Sequence, residues 1–315
     1  MTALWLLDLF RTATLTRLYE ERLLKLSMEG ALPPLLHPGA GQEVSQLAVL
    51  AALRDDDPLL YAHRGLAYVI ARGISLSAIL ADMMGRAGGT NNGKGGVMHI
   101  VDVAKGVYGQ SGTLGGGLVV SVGMGMALKH KGSTQVVAHF FGDGASNRGT
   151  FHESLNWAAV QKLPCIYICE NNGWAVSVPV SESTAIENIA DRAAGYGIPG
   201  ITVDGRDPEA VHEAALAAAK RARAGEGPSL IELKAPRLLG HYATDPQDYR
   251  DDAGSMAVQD PLAMLRARLI AEGTLAAAEA ESFEESCRSD IEVAVALARA
   301  APELDPAAAF EDLYA

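Results

Sequence analysis

Val136-Val137-Ala138-His139-Phe140-Phe141-Gly142-Asp143-Gly144, an amphipathic run from Phe151 to Lys162, and Cys165-Ile166-Tyr167-Ile168-Cys169-Glu170-Asn171-Asn172 together spell strand, turn, helix, strand. Both apolar runs are short, rich in β-branched and aromatic residues, and stopped by a polar turn, so they predict parallel strands joined by a crossover helix. Downstream the alternation continues. Gly200-Ile201-Thr202-Val203-Asp204 reads as a strand, and a helix follows with Asp207 as N-cap, Pro208 at its first position and Gly225 near its end. Ser229 to Leu233 supplies another strand. Upstream, apolar spacing predicts helices over residues 4–29, 42–53 and 74–84. Asp260-Pro261 opens a helix closing near Gly273, and residues 275–300 are alanine-rich and helical. This alternation places the chain in the α/β class, as a doubly wound parallel sheet with helices on both faces and a helical C-terminal tail. Residues 1–255 are expected to form the ligand-binding part and residues 256–315 the tail of the same domain.

Composition narrows the function. The net charge of −12 argues against a phosphate-backbone binder, which needs a basic surface, so no nucleic acid partner is expected. No stretch approaches the roughly 20 uninterrupted apolar residues of a spanning helix, so no membrane is expected either. Three cysteines cannot staple 315 residues, and Cys165 and Cys169 lie in an apolar run without zinc-site spacing. Asp8 interrupts the apolar Trp5–Phe10 segment, which carries no basic leader, so the expected location is the cytoplasm. Glycine is in excess, at 33 residues, and it crowds the region from Gly85 to Gly149, where backbone has to approach a ligand or adopt positive φ. The irregular segment from Gly85 to Gly117 exceeds the length at which a loop inside a domain is usually functional.

Two motifs there are decoys. Gly88 to Gly95 nearly forms a P-loop, but Gly95 stands where a Ser or Thr would hold Mg²⁺; Gly123-Met124-Gly125 lacks the third small residue of a dinucleotide fingerprint, since Leu128 occupies it. The sharper signal is the pair of strand-end turns. Asp143 and Asn172 are one βαβ crossover apart, so adjacent parallel strands bring a carboxylate and an amide oxygen together, and hard oxygens at a switch point suit Mg²⁺. Either turn alone is ordinary turn chemistry.

The spacing of Gly142-Asp143-Gly144 and Glu170-Asn171-Asn172 resembles the diphosphate-and-metal motif of thiamine diphosphate enzymes. With Ala145-Ser146-Asn147-Arg148-Gly149, Phe151-His152-Glu153-Ser154-Leu155-Asn156, Lys162-Leu163-Pro164, Gly93-Lys94-Gly95-Gly96-Val97-Met98-His99 and Gly240-His241, the chain resembles the α subunit of the decarboxylating component of 2-oxo acid dehydrogenase complexes, from about Tyr19 to Tyr249. The resemblance implies Mg²⁺ ligated by Asp143, Asn172 and the Trp174 carbonyl. It implies diphosphate held by the Gly144 and Ala145 backbone N–H groups beside the helix from about Phe151. Arg64, with its neighbour His63, and His241 would bind the cofactor. Gly112 and Leu114 would meet its aminopyrimidine. His241 and His99 are the candidate catalytic groups, His99 being equally readable as an anchor of the glycine-rich segment.

Departures from the family pattern are informative. Leu66-Ala67 replaces a polar, often histidine-containing segment, so a substrate-side contact is expected to be lost. Tyr242 stands where some members carry a regulatory serine, and Leu239 replaces a histidine, so kinase control is not expected there. The segment Gly240 to Arg250 looks more like the acetoin-dehydrogenase branch. The resemblance implies a β subunit, with two α and two β chains, a small 2-oxo acid or acetoin as substrate, and transfer to a lipoyl acyltransferase component. The other readings are a carboligating, transketolase-like subunit and a non-catalytic scaffold.

Overall fold

A computed structural model describes residues 3–252 and 258–311. The expected sheet is present. Strands β1 (Leu59–Leu60), β2 (Val137–Gly142), β3 (Cys165–Asn171), β6 (Gly200–Asp204) and β7 (Ser229–Lys234) run parallel in the order β1-β2-β3-β7-β6. A separate two-stranded antiparallel ribbon, β4 (Trp174–Ala175) and β5 (Val178–Pro179), follows β3 directly.

Side-chain alternation along the strands explains why the runs read as continuously apolar. Val137, Phe141, Cys165, Tyr167, Cys169 and Leu230 face one core cluster, and Ala138, Phe140, Ile166, Ile168, Ile231 and Leu233 face the other. Strands β2, β3 and β7 are thus buried on both sides, as crossover helices require, while edge strand β6 buries only Val203. The first cluster is closed by α5 (Gly116–His130) and α6 (Gly149–Val160). The second is closed by α1 (Ala3–Met28), α2 (Glu43–Leu50), α3 (Leu66–Ala71), α4 (Leu76–Met83) and α8 (Pro208–Arg223). A single turn, α7 (Val180–Ser183), follows the ribbon. Cys165, Cys169 and Cys287 are buried free thiols, with the first two on one face of β3.

The helix starts read from the sequence hold. Asp207 caps α8 by accepting from the Ala210 N–H at 3.0 Å, and Asp260 caps α9 (Pro261–Ala271) by accepting from the Leu262 N–H at 3.0 Å. With α10 (Ala277–Ala300), α9 packs back on α1, and α10 also reaches α4, so the C-terminal helices share the second core cluster. The expected boundary between residues 255 and 256 lies outside the described residues. Among the described residues no helix is long and apolar enough to cross a membrane.

Several features differ from the sequence reading, which predicted neither edge strand β1 nor the β4–β5 ribbon. Strand β3 runs on to Asn171, so Glu170 and Asn171 are paired strand residues and only Asn172 is past the end. Residues Asp143–Asn147 form a 3-10 turn of their own, and α6 begins at Gly149, so Gly144 and Ala145 sit in that turn rather than beside a helix starting at Phe151. Helices α3 and α5 were not expected at all. In α5 the glycines that hide the helix are contact points: a Cβ on Gly125 would lie 2.6 Å from Cys165 Sγ, and one on Gly117 would lie 2.6 Å from His139 Cε1. Tertiary proximity therefore outweighs the helix penalty of glycine, about 1 kcal/mol each. Gly125→Val is expected to destabilise the chain by about 1–3 kcal/mol through overpacking of α5 on β3, read as a lower urea midpoint with unchanged slope.

Candidate functional site

The site lies where β2 and β3 end. Gly142 pairs with Glu170 across the two strands, so the turn after each strand opens into the same cavity. His63, Arg64, Leu114, Asp143, Gly144, Ala145, Asn172, Trp174 and His241 all line it. The structure thus brings nine of the ten expected cofactor and metal residues together. Gly112 stands outside the lining, against His99: a Cβ on Gly112 would be 3.5 Å from His99 Cε1. His99 itself does not line the cavity, and its backbone is tied into the glycine-rich segment through its N–H to the Gly95 carbonyl at 3.2 Å.

Asp143 is buried, and its Oδ2 has no hydrogen-bond partner. Burial pushes its carboxyl up to about 6, with partial relief from the Gly144 N–H and from Arg64. A buried carboxylate oxygen with no donor is costly unless a cation meets it. Gly144 is required beside it, since a Cβ there would lie 2.8 Å from the Ala175 Cβ of the ribbon.

Asn172 is oriented by its neighbours. Its Nδ2 donates to Gln42 Oε1 at 2.7 Å, which fixes the amide and leaves Oδ1 to accept from the Trp174 N–H at 3.2 Å. Gln42 and Gln46 in turn donate to Glu170 Oε1 at 3.5 and 2.6 Å, and the Tyr68 hydroxyl donates to the same oxygen at 2.6 Å. Glu170 is fully enclosed, and burial raises its carboxyl above the usual range despite these donors. Asn171 plays a different part: its Nδ2 donates to Glu232 at 2.6 Å and its Oδ1 accepts from the Gly173 N–H at 3.0 Å, closing the turn at a glycine with φ +86°. The Trp174 ring is clamped by two cations, Arg237 and Arg250, each 5.7 Å from its centroid. The side chain of Trp174, whose carbonyl is an expected metal ligand, is thus held between two guanidinium groups.

Arg64 is 7% exposed, so it is a buried arginine rather than a surface one. Its Nε donates to the Pro38 carbonyl at 3.1 Å, Nη1 to His63 Nε2 at 2.8 Å, and Nη2 to His241 Nδ1 and to the His241 carbonyl at 3.0 and 3.1 Å. Desolvation pushes the guanidinium down to about 10. His241 is pushed down to about 3, first by burial and then by Arg64. Leu66 and Ala67 are buried in the core cluster rather than in the cavity wall, so the departure noted there leaves no polar group facing the cavity.

Several residues went unnoticed in the sequence. Gln42, Gln46 and Tyr68 join Glu170 of the quoted motif in the buried network behind Asn172, and His37 reaches the site from a loop. The one available signal was Glu170, a carboxylate inside an otherwise apolar strand.

The comparisons with known proteins converge. The dehydrogenase E1 component family matches residues 10–307. The α subunit of acetoin:2,6-dichlorophenolindophenol oxidoreductase from Cupriavidus necator is 42% identical over 313 residues, 98% of this chain and 94% of that one. Its counterpart from Bacillus subtilis is 44% identical over 248 residues, 79% of this chain and 74% of that one. The α subunit of the pyruvate dehydrogenase E1 component from Rhizobium meliloti is 34% identical over 310 residues, covering 98% and 89%.

The geometry sets a pH signature. Because the folded Asp143 carboxyl sits above its unfolded value of 3.8, the group favours the folded state at acid pH, and that contribution is lost as pH rises through about 6. At pH 8 the bare carboxylate costs up to about 3 kcal/mol. Asp143→Asn is therefore expected to melt at higher temperature than the parent at pH 8 without cations, with the gap closing towards pH 4. In the parent, Mg²⁺ affinity measured by calorimetry should fall about tenfold per pH unit below 6, and Asp143→Asn should remove both the Mg²⁺ affinity and this slope.

Proposed function

Since this chain belongs to the dehydrogenase E1 component family, we propose that it is the α subunit of a thiamine diphosphate-dependent acetoin or 2-oxo acid dehydrogenase, anchoring the cofactor diphosphate and Mg²⁺. The observation that carries this reading is the partnerless buried oxygen of Asp143 in one cavity with Asn172 and Arg64. Hard oxygen donors suit Mg²⁺, which would be held by Asp143, Asn172 and the Trp174 carbonyl. Diphosphate would be met by the Gly144 and Ala145 N–H groups and by Arg64, with His63 and His241 beside it. Gly112 and Leu114 would face the aminopyrimidine. When bound, thiamine diphosphate supplies the carbanion that adds to a carbonyl and the ring that holds the electrons as a C–C bond breaks.

The chain's own residues bind and orient. Arg64 offers a planar fork of donors, held by the Pro38 carbonyl on its far side. Gln42 holds the Asn172 amide so that its oxygen faces away from Glu170. His241 stays neutral at the cavity, able to accept or donate a proton there, and is the catalytic candidate; His99, outside the lining and packed against Gly112, is the second. Residues 1–255 are the cofactor-binding part in this reading, with 256–315 as its tail.

The higher identity to the acetoin-oxidising relatives, 42% and 44% against 34%, favours acetoin. A β subunit is part of the proposal, in an assembly of two α and two β chains, because activating the aminopyrimidine takes a carboxylate hydrogen-bonded to it. Among the described residues, no carboxylate other than Asp143 lines the cavity. A lipoyl acyltransferase component would take the acyl group, and the cytoplasm, a reducing compartment, fits three buried free thiols.

Two measurements test this. The chain alone, with thiamine diphosphate, Mg²⁺, acetoin or pyruvate and an artificial electron acceptor, is expected to show no turnover, and activity should appear on adding a β subunit; robust turnover without a second polypeptide overturns the reading. Arg64→Ala should weaken thiamine diphosphate binding by about 1.5–3 kcal/mol, with Lys a partial rescue; an unchanged dissociation constant with lost turnover would make Arg64 a substrate-side group instead.

A further inference from the structure

His37, His63 and His241 come from three separate segments and converge beside Arg64, with one ring nitrogen of each within 4.8 Å of the others. Their rings meet edge to face, with centroids 4.4, 4.7 and 5.4 Å apart. The hydrogen bonds locate the lone pairs. Arginine only donates, so its contacts to His63 Nε2 and His241 Nδ1 require both nitrogens to be bare. The His241 carbonyl only accepts, so His37 Nδ1, 2.7 Å away, carries the proton, and in a neutral ring Nε2 is bare. Burial holds all three rings below the usual imidazole range, so protons do not compete for these lone pairs at neutral pH.

We propose that His37, His63 and His241 form a binding site for a late first-row divalent cation of the Zn²⁺ type, taken up in place of the Arg64 guanidinium. Neutral imidazoles select Zn²⁺, Ni²⁺ or Cu²⁺, while Mg²⁺ prefers the oxygens of Asp143 and Asn172, so the two cation sites differ in chemistry. A ring N–H donated to a backbone carbonyl, as from His37 to His241, is the outer-shell arrangement that orients metal-bound histidines. Tetrahedral ligands about 2.0–2.1 Å from Zn²⁺ stand about 3.4 Å apart, so the rings have to close by roughly an ångström. His37 and His241 lie outside helices and strands, so no helix or strand hydrogen-bond ladder has to break for that movement. The guanidinium already occupies the lone pairs of two of the three rings, His63 and His241, and two cations there repel each other. Metal binding and the inward position of Arg64 therefore exclude one another.

The metal site stands independently of the proposed function. Only one consequence rests on that reading: losing the Arg64 anchor would make Zn²⁺ and thiamine diphosphate mutually exclusive. The test titrates the full chain, freed of metal and cofactor, with Co²⁺, whose visible spectrum reports nitrogen coordination, and then displaces it with Zn²⁺. One equivalent is expected to bind, with His37→Gln and His63→Gln each weakening it by about tenfold or more. Excess Mg²⁺ should not displace Co²⁺, and Asp143→Asn should leave the spectrum intact. Arg64→Ala should bind Co²⁺ more tightly, which a stray surface histidine would not report. The proposal is overturned if the histidine variants keep the parental spectrum and affinity, if Mg²⁺ removes the signal, or if Arg64→Ala, shown by melting to be folded, binds Co²⁺ no better. Should Co²⁺ bind as expected while Zn²⁺ leaves thiamine diphosphate affinity unchanged, the metal site stands and the phosphate role of Arg64 falls.

Discussion

The pairing register of β2 and β3 is the constraint on which the site depends. Six consecutive pairs, from Val137 with Cys165 to Gly142 with Glu170, bring the two turns level at one edge of the sheet. A slip of one residue would exchange the faces of every side chain on β3, sending Glu170 and the cysteines to the wrong cores. The two core clusters prevent it, because Ile166 and Ile168 fill one and Cys165, Tyr167 and Cys169 the other. The position of Asn172 relative to Asp143 is thus set by apolar packing far from the cavity.

Behind that edge, buried charge is arranged in compensating layers. Glu170 gathers donors from Gln42, Gln46 and Tyr68, and Gln46 also donates to the Arg64 carbonyl at 3.1 Å, so one carboxylate steadies the chain on both sides of the cavity. Glu20 supports Arg64 from the other direction. Both of its oxygens accept from the Gly39 N–H, fixing the loop whose Pro38 carbonyl receives Arg64 Nε, and burial beside Glu43 pushes its carboxyl up to about 8. Groups held this way cost folding free energy in exchange for fixed orientation, which is the usual condition of a binding site.

The glycine-rich segment shows the same economy in backbone form. Asp82, buried at the end of α4, accepts from Thr90 Oγ1 at 2.8 Å and from the Asn91 and Gly93 N–H groups at 3.0 and 2.7 Å. A Cβ on Gly89 would lie 2.7 Å from the Asp82 backbone, so glycine is needed for the chain to wrap its carboxylate. What resembled a phosphate loop is therefore organised around an internal carboxyl group, in keeping with the glycine at position 95 where a phosphate loop needs Ser or Thr. Arg86 ties the segment to the C-terminal end through the Ala301 carbonyl at 2.9 Å.

The sequence by itself determined the parallel class, the β2–α6–β3 unit, the capped starts of α8 and α9, and the pairing of Asp143 with Asn172. These are written in local patterns: apolar runs stopped by turns, Asp-Pro caps, and a spacing that one crossover consumes. Tertiary structure alone decided the rest. Helix α5 is invisible locally because Gly117 and Gly125 obey contacts with His139 and Cys165 rather than helix propensity. His37 meets His241 across 204 residues, and Gln42 meets Asn172 across 130, so no local pattern announces either. Burial converted Arg64 from an ordinary arginine into an enclosed donor to two of three clustered histidines, and Glu170 from a strand-end polar residue into the buried hub of the site. Such roles depend on desolvation and on partners distant in sequence, and both are properties of the folded chain.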